Sequence, residues 1–163
     1  MNLKEKMKQG PVYGVAVFTG AACAVEAVGN QGYDFVFLDL EHTPLDAGND
    51  IEKLILCALR SGVSPLVRTA DQDEVVLRKL VEMGAEGVIV PQVAYAFKRL
   101  VELARPRGIG VMAPCVPPTP EYARELIAAG ANMLIMGNDM WHFQKSIGKA
   151  MEETVSVMRR ENP

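Results

Sequence analysis

The run YDFVFLDL, Tyr33–Leu40, constrains this chain more than any other stretch. A continuous apolar segment of this length, flanked by polar residues, reads as a strand buried on both faces over Asp34–Leu40. Strands of that kind belong to parallel sheets covered by helices. Tyr13–Phe18, Ser64–Arg68, Gly87–Pro91, Ile109–Ala113 and Met133–Met136 are shorter runs of the same type. Amphipathic segments separate them. Ala21–Asn30 predicts a small-residue helix ended by Gly32. Ile51, Leu54, Ile55, Ala58 and Leu59 keep helical spacing up to Gly62. Asp71 followed by Glu74 reads as an acidic capping box for a helix carrying Val75, Leu77, Leu80 and Val81 and stopping at Gly84. Val93–Ala104 predicts a helix, as does a segment capped by Thr119 with Pro120 in its first turn and Gly130 at its end. Phe143–Arg160 predicts a final long helix, and MNLKEKMKQG a polar one at the N-terminus.

Strict alternation of strands and helices implies a parallel sheet with helical crossovers. Such a sheet is either doubly wound or closed into a barrel. No GxGxxG follows an early strand, and no GxxxxGK[ST] occurs, so the phosphate loops of doubly wound folds are absent. A (β/α)8 barrel typically needs ≈250 residues, more than the 163 present. The expected fold class is therefore α/β, a TIM-barrel-like parallel sheet shortened to about six β/α units, as one incomplete barrel domain over residues 1–163.

Net charge is −3 and the basic residues are scattered, which argues against a nucleic-acid partner, since that needs a clustered cationic face. Cys23, Cys57 and Cys115 are odd in number and widely spaced, which suits idle thiols in a reducing cytoplasm better than a disulfide framework or zinc site. No apolar run approaches the ~20 residues of a membrane span. The chain is expected to be cytoplasmic, with no membrane partner.

Reactive groups in parallel β/α folds collect just beyond the C-terminal ends of strands. That rule selects Asp39, Glu41 and His42 after one strand, Arg68 after the next, Pro91 and Gln92 after a third, and Asn138 and Asp139 after the last. Together they suit a small anionic substrate. Each has a plainer reading. His42 can serve as a loop hydrogen-bonding group, Arg68 as an ion-pair partner of Asp39 or Glu41, and Asp139 as a helix cap. Glu82 reads as a solvated helix-end residue, and His142, beside Trp141, as a packing residue.

Several segments resemble one family. YDFVFLDLEHTP (Tyr33–Pro44), PLVRTADQDEVVLRKLVEMGAEGVIVPQV (Pro65–Val93), IGVMAP (Ile109–Pro114) and AAGANMLIMGNDMWHF (Ala128–Phe143) resemble, in order, parts of the HpcH/HpaI aldolase/citrate lyase family. The resemblance implies a carbon–carbon lyase acting on 2-keto acids, releasing pyruvate by retro-aldol cleavage through an enolate. It casts Asp39 and His42 as a base couple and Arg68 as the group that binds the pyruvate carboxylate and enolate. Glu41, Gln92 and Asp139 join Arg68 as substrate-binding candidates, and Glu82 matches an acidic position near the barrel entrance. It also implies a divalent cation, Mg²⁺ or Mn²⁺, held by a glutamate and an aspartate on two strands between GVIVP and IGVMAP. LVELARPRGIGVMAP runs across that interval, and neither ligand has a match. No metal-binding residue is therefore assigned, and a non-catalytic remnant that binds a small keto acid is the alternative reading. An unclosed six-stranded barrel further implies a homo-oligomer, since open sheet edges need covering.

Overall fold

Each apolar run becomes a strand because its β-branched and aromatic residues alternate between two cores. The structure, a computed structural model, describes residues 2–70, 73–89 and 97–155. The strands are β1 (Val12–Val17), β2 (Phe35–Asp39), β3 (Ser64–Arg68), β4 (Gly87–Ile89), β5 (Met112–Pro114) and β6 (Met133–Asn138). The helices are α1 (Leu3–Gln9), α2 (Ala22–Asn30), α3 (Asn49–Arg60), α4 (Glu74–Glu82), α5 (Phe97–Ala104), α6 (Pro120–Ala128) and α7 (Asp139–Ala150). All strand pairings are parallel, in the order β4-β3-β2-β1-β6-β5. The last strand lies against the first, as in a barrel, while β4 and β5 stand at the two edges. No helix among the described residues is long and apolar enough to cross a membrane.

Strand parity builds the layers. Val15, Val17, Val36, Leu38 and Val67 face outward and pack with Val25 and Val28 of α2, Ile51, Leu54 and Ile55 of α3, and Leu80 of α4. Val12, Ala16, Phe35, Phe37, Leu66 and Met133 face inward with Leu3 of α1. Each large side chain removed from water contributes ~1.5–3 kcal/mol, which makes burial the main force holding these layers. Gly14 lies opposite Phe35 in the β1–β2 register. A Cβ there would stand 2.4 Å from the Phe35 ring, so only glycine lets that ring cross β1.

Helix α1 closes the N-terminal end of the sheet. The Leu3 amide and the Ser64 hydroxyl both donate to Glu86 Oε2, at 3.1 and 3.0 Å, and Lys6 pairs with Asp34 at 3.0 Å. These acceptors directly precede β4 and β2, so the short helix is pinned across strand beginnings.

Three local expectations shift. The cap of α4 is Asp73, whose carboxylate accepts from the Val75 and Val76 amides; Asp71, the expected cap, lies outside the described residues. Strand β5 begins at Met112 rather than Ile109, because Gly108 turns left-handed (φ 67°) and the Ile109 amide closes the preceding helical segment on the Ala104 carbonyl. The last helix begins at Asp139 rather than Phe143. Asn138 caps it by accepting from the Trp141 amide at 2.9 Å, so the helix starts as soon as β6 ends. Thr119 caps α6 as expected, accepting from the Tyr122 amide with Pro120 in the first turn.

Candidate active site

Asp39 and Arg68 are the last residues of neighbouring parallel strands and lie opposite one another in register. Residues directly opposite in a parallel pair share a face. Asp39 follows Phe35 and Phe37, and Arg68 follows Leu66, along the inward row. The two side chains therefore meet at the C-terminal rim. Arg68 Nε donates to Asp39 Oδ1 at 2.9 Å and Nη2 to Oδ2 at 2.6 Å, a two-point fork. Glu41 Oε2 lies 3.1 Å from Arg68 Nε. Phe37 supplies the floor, with the guanidinium carbon 5.2 Å from its ring centroid.

The chain turns sharply after Asp39. Its Oδ1 also accepts from the backbone amides of Glu41 (2.9 Å) and His42 (3.4 Å), and the Thr43 hydroxyl donates to its carbonyl. This local bonding presents Glu41 and His42 at the rim. The His42 ring Nε2 is 3.6 Å from Glu41 Oε2, and its side chain is 66% exposed. The carboxylate that faces the imidazole is thus Glu41, while Asp39 reaches His42 through the backbone.

Burial sets the electrostatics. Asp39 is 0% exposed, which alone would raise its pKa. The Arg68 hydrogen bonds and charge, with the Glu41 and His42 amides, outweigh that penalty and hold the carboxyl below its ordinary value. The same bonds to Asp39 raise the pKa of Arg68 against its own desolvation, with Asp39 and Glu41 adding charge attraction. Arg68 is thus a permanently charged, oriented donor group.

Glu41, His42 and Arg68 line one cavity of ≈ 880 Å³, which runs down the inside of the sheet past Leu66 and Met133 towards α1. Asp139 sits elsewhere. Its carboxylate accepts from the Phe18 and Thr19 amides at 3.1 Å and from the Thr19 hydroxyl, tying β6 to the end of β1. It lines a different hollow, between α2 and α7. Gln92 and Pro91 lie outside the described residues. Glu82 ends α4 and is exposed. His142 places Nε2 2.6 Å from the Met136 carbonyl and packs edge-on against Trp141.

Phe37 was not singled out from the sequence, whereas the pairing of Arg68 with Asp39 or Glu41 was, and both contacts form. The alternation in DFVFLDL carries the signal for Phe37, since it shares parity with Asp39. A divalent cation does not fit this rim: both carboxylates are engaged by Arg68, and among the described residues no three His, Cys, Asp or Glu side chains are placed to hold a metal ion.

The model of the HpcH/HpaI aldolase/citrate lyase family matches residues 17–98, half of the chain, and that span includes Asp39, Glu41, His42 and Arg68. A 2-dehydro-3,6-dideoxy-6-sulfogluconate aldolase of Pseudomonas putida is 30% identical over 89 residues, covering 55% of this chain and 34% of that protein. A hydroxypyruvate/pyruvate aldolase of Rhizorhabdus wittichii is 40% identical over 68 residues, covering 42% and 27%. The matched stretch thus spans about a third of these relatives' length. In fold, the chain superposes on an HpcH/HpaI aldolase/citrate lyase family protein from Burkholderia cenocepacia J2315 with a TM-score of 0.76 at 14% identity, over 93% of this chain and 98% of that one. A TIM-barrel-like sheet with this rim, matched over half its length by the family model, makes the chain a member of the HpcH/HpaI aldolase/citrate lyase family.

Proposed function

We propose that the rim binds the carboxylate of a small 2-keto acid and that the chain cleaves or forms a carbon–carbon bond next to it, as an aldolase. The observation that carries this reading is Arg68, forked against the wholly buried Asp39 at the mouth of the cavity, with the exposed His42 beside it. The relatives named as aldolases supply the reaction class.

The steps follow from the groups present. Arg68 orients the carboxylate and keto oxygen of the substrate. His42, steadied by Glu41, takes the proton of the hydroxyl two carbons beyond the keto group. The C3–C4 bond breaks, its electron pair forms the enolate of pyruvate, and C4 leaves as an aldehyde carbonyl. Arg68 is the positive charge nearest the enolate oxygen, and a proton returned to C3 completes pyruvate. No step here depends on a metal ion.

A second reading, a keto-acid binder without turnover, is favoured by the commitment of both rim carboxylates to Arg68. Proton NMR of pyruvate in D₂O, with and without Mg²⁺, separates the two. The aldolase reading predicts loss of the methyl signal faster than in buffer. Saturable binding without exchange establishes the binder, and absence of binding contradicts both.

A further inference from the structure

The cavity behind the rim is far larger than pyruvate needs. At ≈ 880 Å³ it falls within the roughly 300–1,000 Å³ range of pockets that enclose drug-sized ligands. Its polar groups are also segregated. Glu41, His42 and Arg68 stand at the C-terminal ends of the strands. The groups at the other end are Lys4 of α1, Glu86 just before β4 and Arg107 ahead of β5; Glu86 is committed to the Leu3 amide and Ser64, and Arg107 donates to the Leu103 carbonyl. Between the two ends the inward side chains are apolar: Leu66 and Ile89 on one side, Met112 and Met133 on the other. Those two sides belong to opposite halves of the sheet, β3–β4 and β5–β6, which do not pair with each other among the described residues. The hollow thus lies inside the unclosed sheet, and the methionines that line it, Met7, Met112 and Met133, can adjust to ligands of different shape.

We propose that this cavity takes a 2-keto acid with an extended apolar tail, its carboxylate at Arg68 and its tail along Leu66, Ile89, Met112 and Met133. This rests on the reading of Arg68 as a carboxylate anchor and adds the class of substituent that the site accepts. A charged or sugar-like tail would place hydroxyls or carboxylates against the side chains of Leu66, Ile89, Met112 and Met133, which offer them no hydrogen-bond partners, and that is costly.

The test is a calorimetric titration of the full chain with pyruvate, 2-oxobutanoate, 2-oxohexanoate and 2-oxooctanoate. Burial of each added methylene is expected to tighten binding about fourfold. The same series on Met112→Glu, which puts a charge into the half-buried wall, is expected to lose that increment. Binding that does not strengthen with chain length overturns the proposal while leaving the carboxylate anchor standing. A full chain-length increment in both proteins overturns the placement of the tail. Long-chain acids that bind equally well to Arg68→Lys overturn the anchored orientation, and failure of pyruvate itself to bind removes the underlying reading instead.

Discussion

Replacing Arg68 with methionine is expected to destabilise the fold by about 3–5 kcal/mol at neutral pH, because it strands a carboxylate that has no access to water. Asp39 is 0% exposed, and Arg68 is its only charged partner among the contacts of the described residues. The backbone amides of Glu41 and His42 remain, but they lack a full charge. The penalty belongs to the orphaned acid rather than to the lost pair. Arg68→Met combined with Asp39→Leu is therefore expected to recover most of the loss, as buried ion pairs replaced by apolar residues commonly do. Urea unfolding followed by circular dichroism measures both.

The pH dependence follows from the direction of the Asp39 shift. Its carboxyl is held below the ordinary value, so its contribution is present above the unfolded pKa and fades as pH falls through the folded one. In Arg68→Met the burial penalty stays while the arginine's hydrogen bonds and charge are gone, so the carboxyl pKa rises from its wild-type position. The difference between wild type and Arg68→Met is thus expected to be smaller at pH 3.5 than at pH 7. An equal difference at both would show that Arg68 stabilises through packing alone.

The second large effect is catalytic. His42→Asn is expected to slow the exchange of pyruvate methyl protons by about 10²–10⁴-fold, the usual contribution of a positioned general base. Because the side chain is mostly exposed and its ring contact is with Glu41, the same change is expected to move stability by no more than about 0.5 kcal/mol. Exchange at the wild-type rate in His42→Asn would assign the proton transfer to another group.

Much of this site was legible because strand parity is a strong signal. Phe35, Phe37 and Asp39 share one face, as do Leu66 and Arg68, and parallel neighbours ending together must bring Asp39 and Arg68 to one rim. Other features depend on competition that no local pattern encodes. Asp39 and Glu41 both reach the same guanidinium, where the sequence offered either one as its partner. Asp139 stands at a strand end like the others, yet three-dimensional proximity gives its oxygens to the amides of Phe18 and Thr19. Ile109 has the composition of a strand residue, but Gly108 turns the chain and assigns Ile109 to the helix closure instead. The cap of α4 falls to Asp73, directly before the helix, whose carboxylate accepts from the Val75 and Val76 amides.

The function proposed for this rim rests on a guanidinium whose Nε–Nη2 edge is held by Asp39 and whose remaining N–H groups are left to meet a carboxylate. Arg68→Lys keeps the positive charge and removes the fork, so it separates geometry from charge. With folding verified by circular dichroism, calorimetric titration with pyruvate is expected to show affinity about 10- to 100-fold weaker than wild type, the loss of a charged hydrogen bond. Unchanged pyruvate affinity in the folded Arg68→Lys protein would contradict the account.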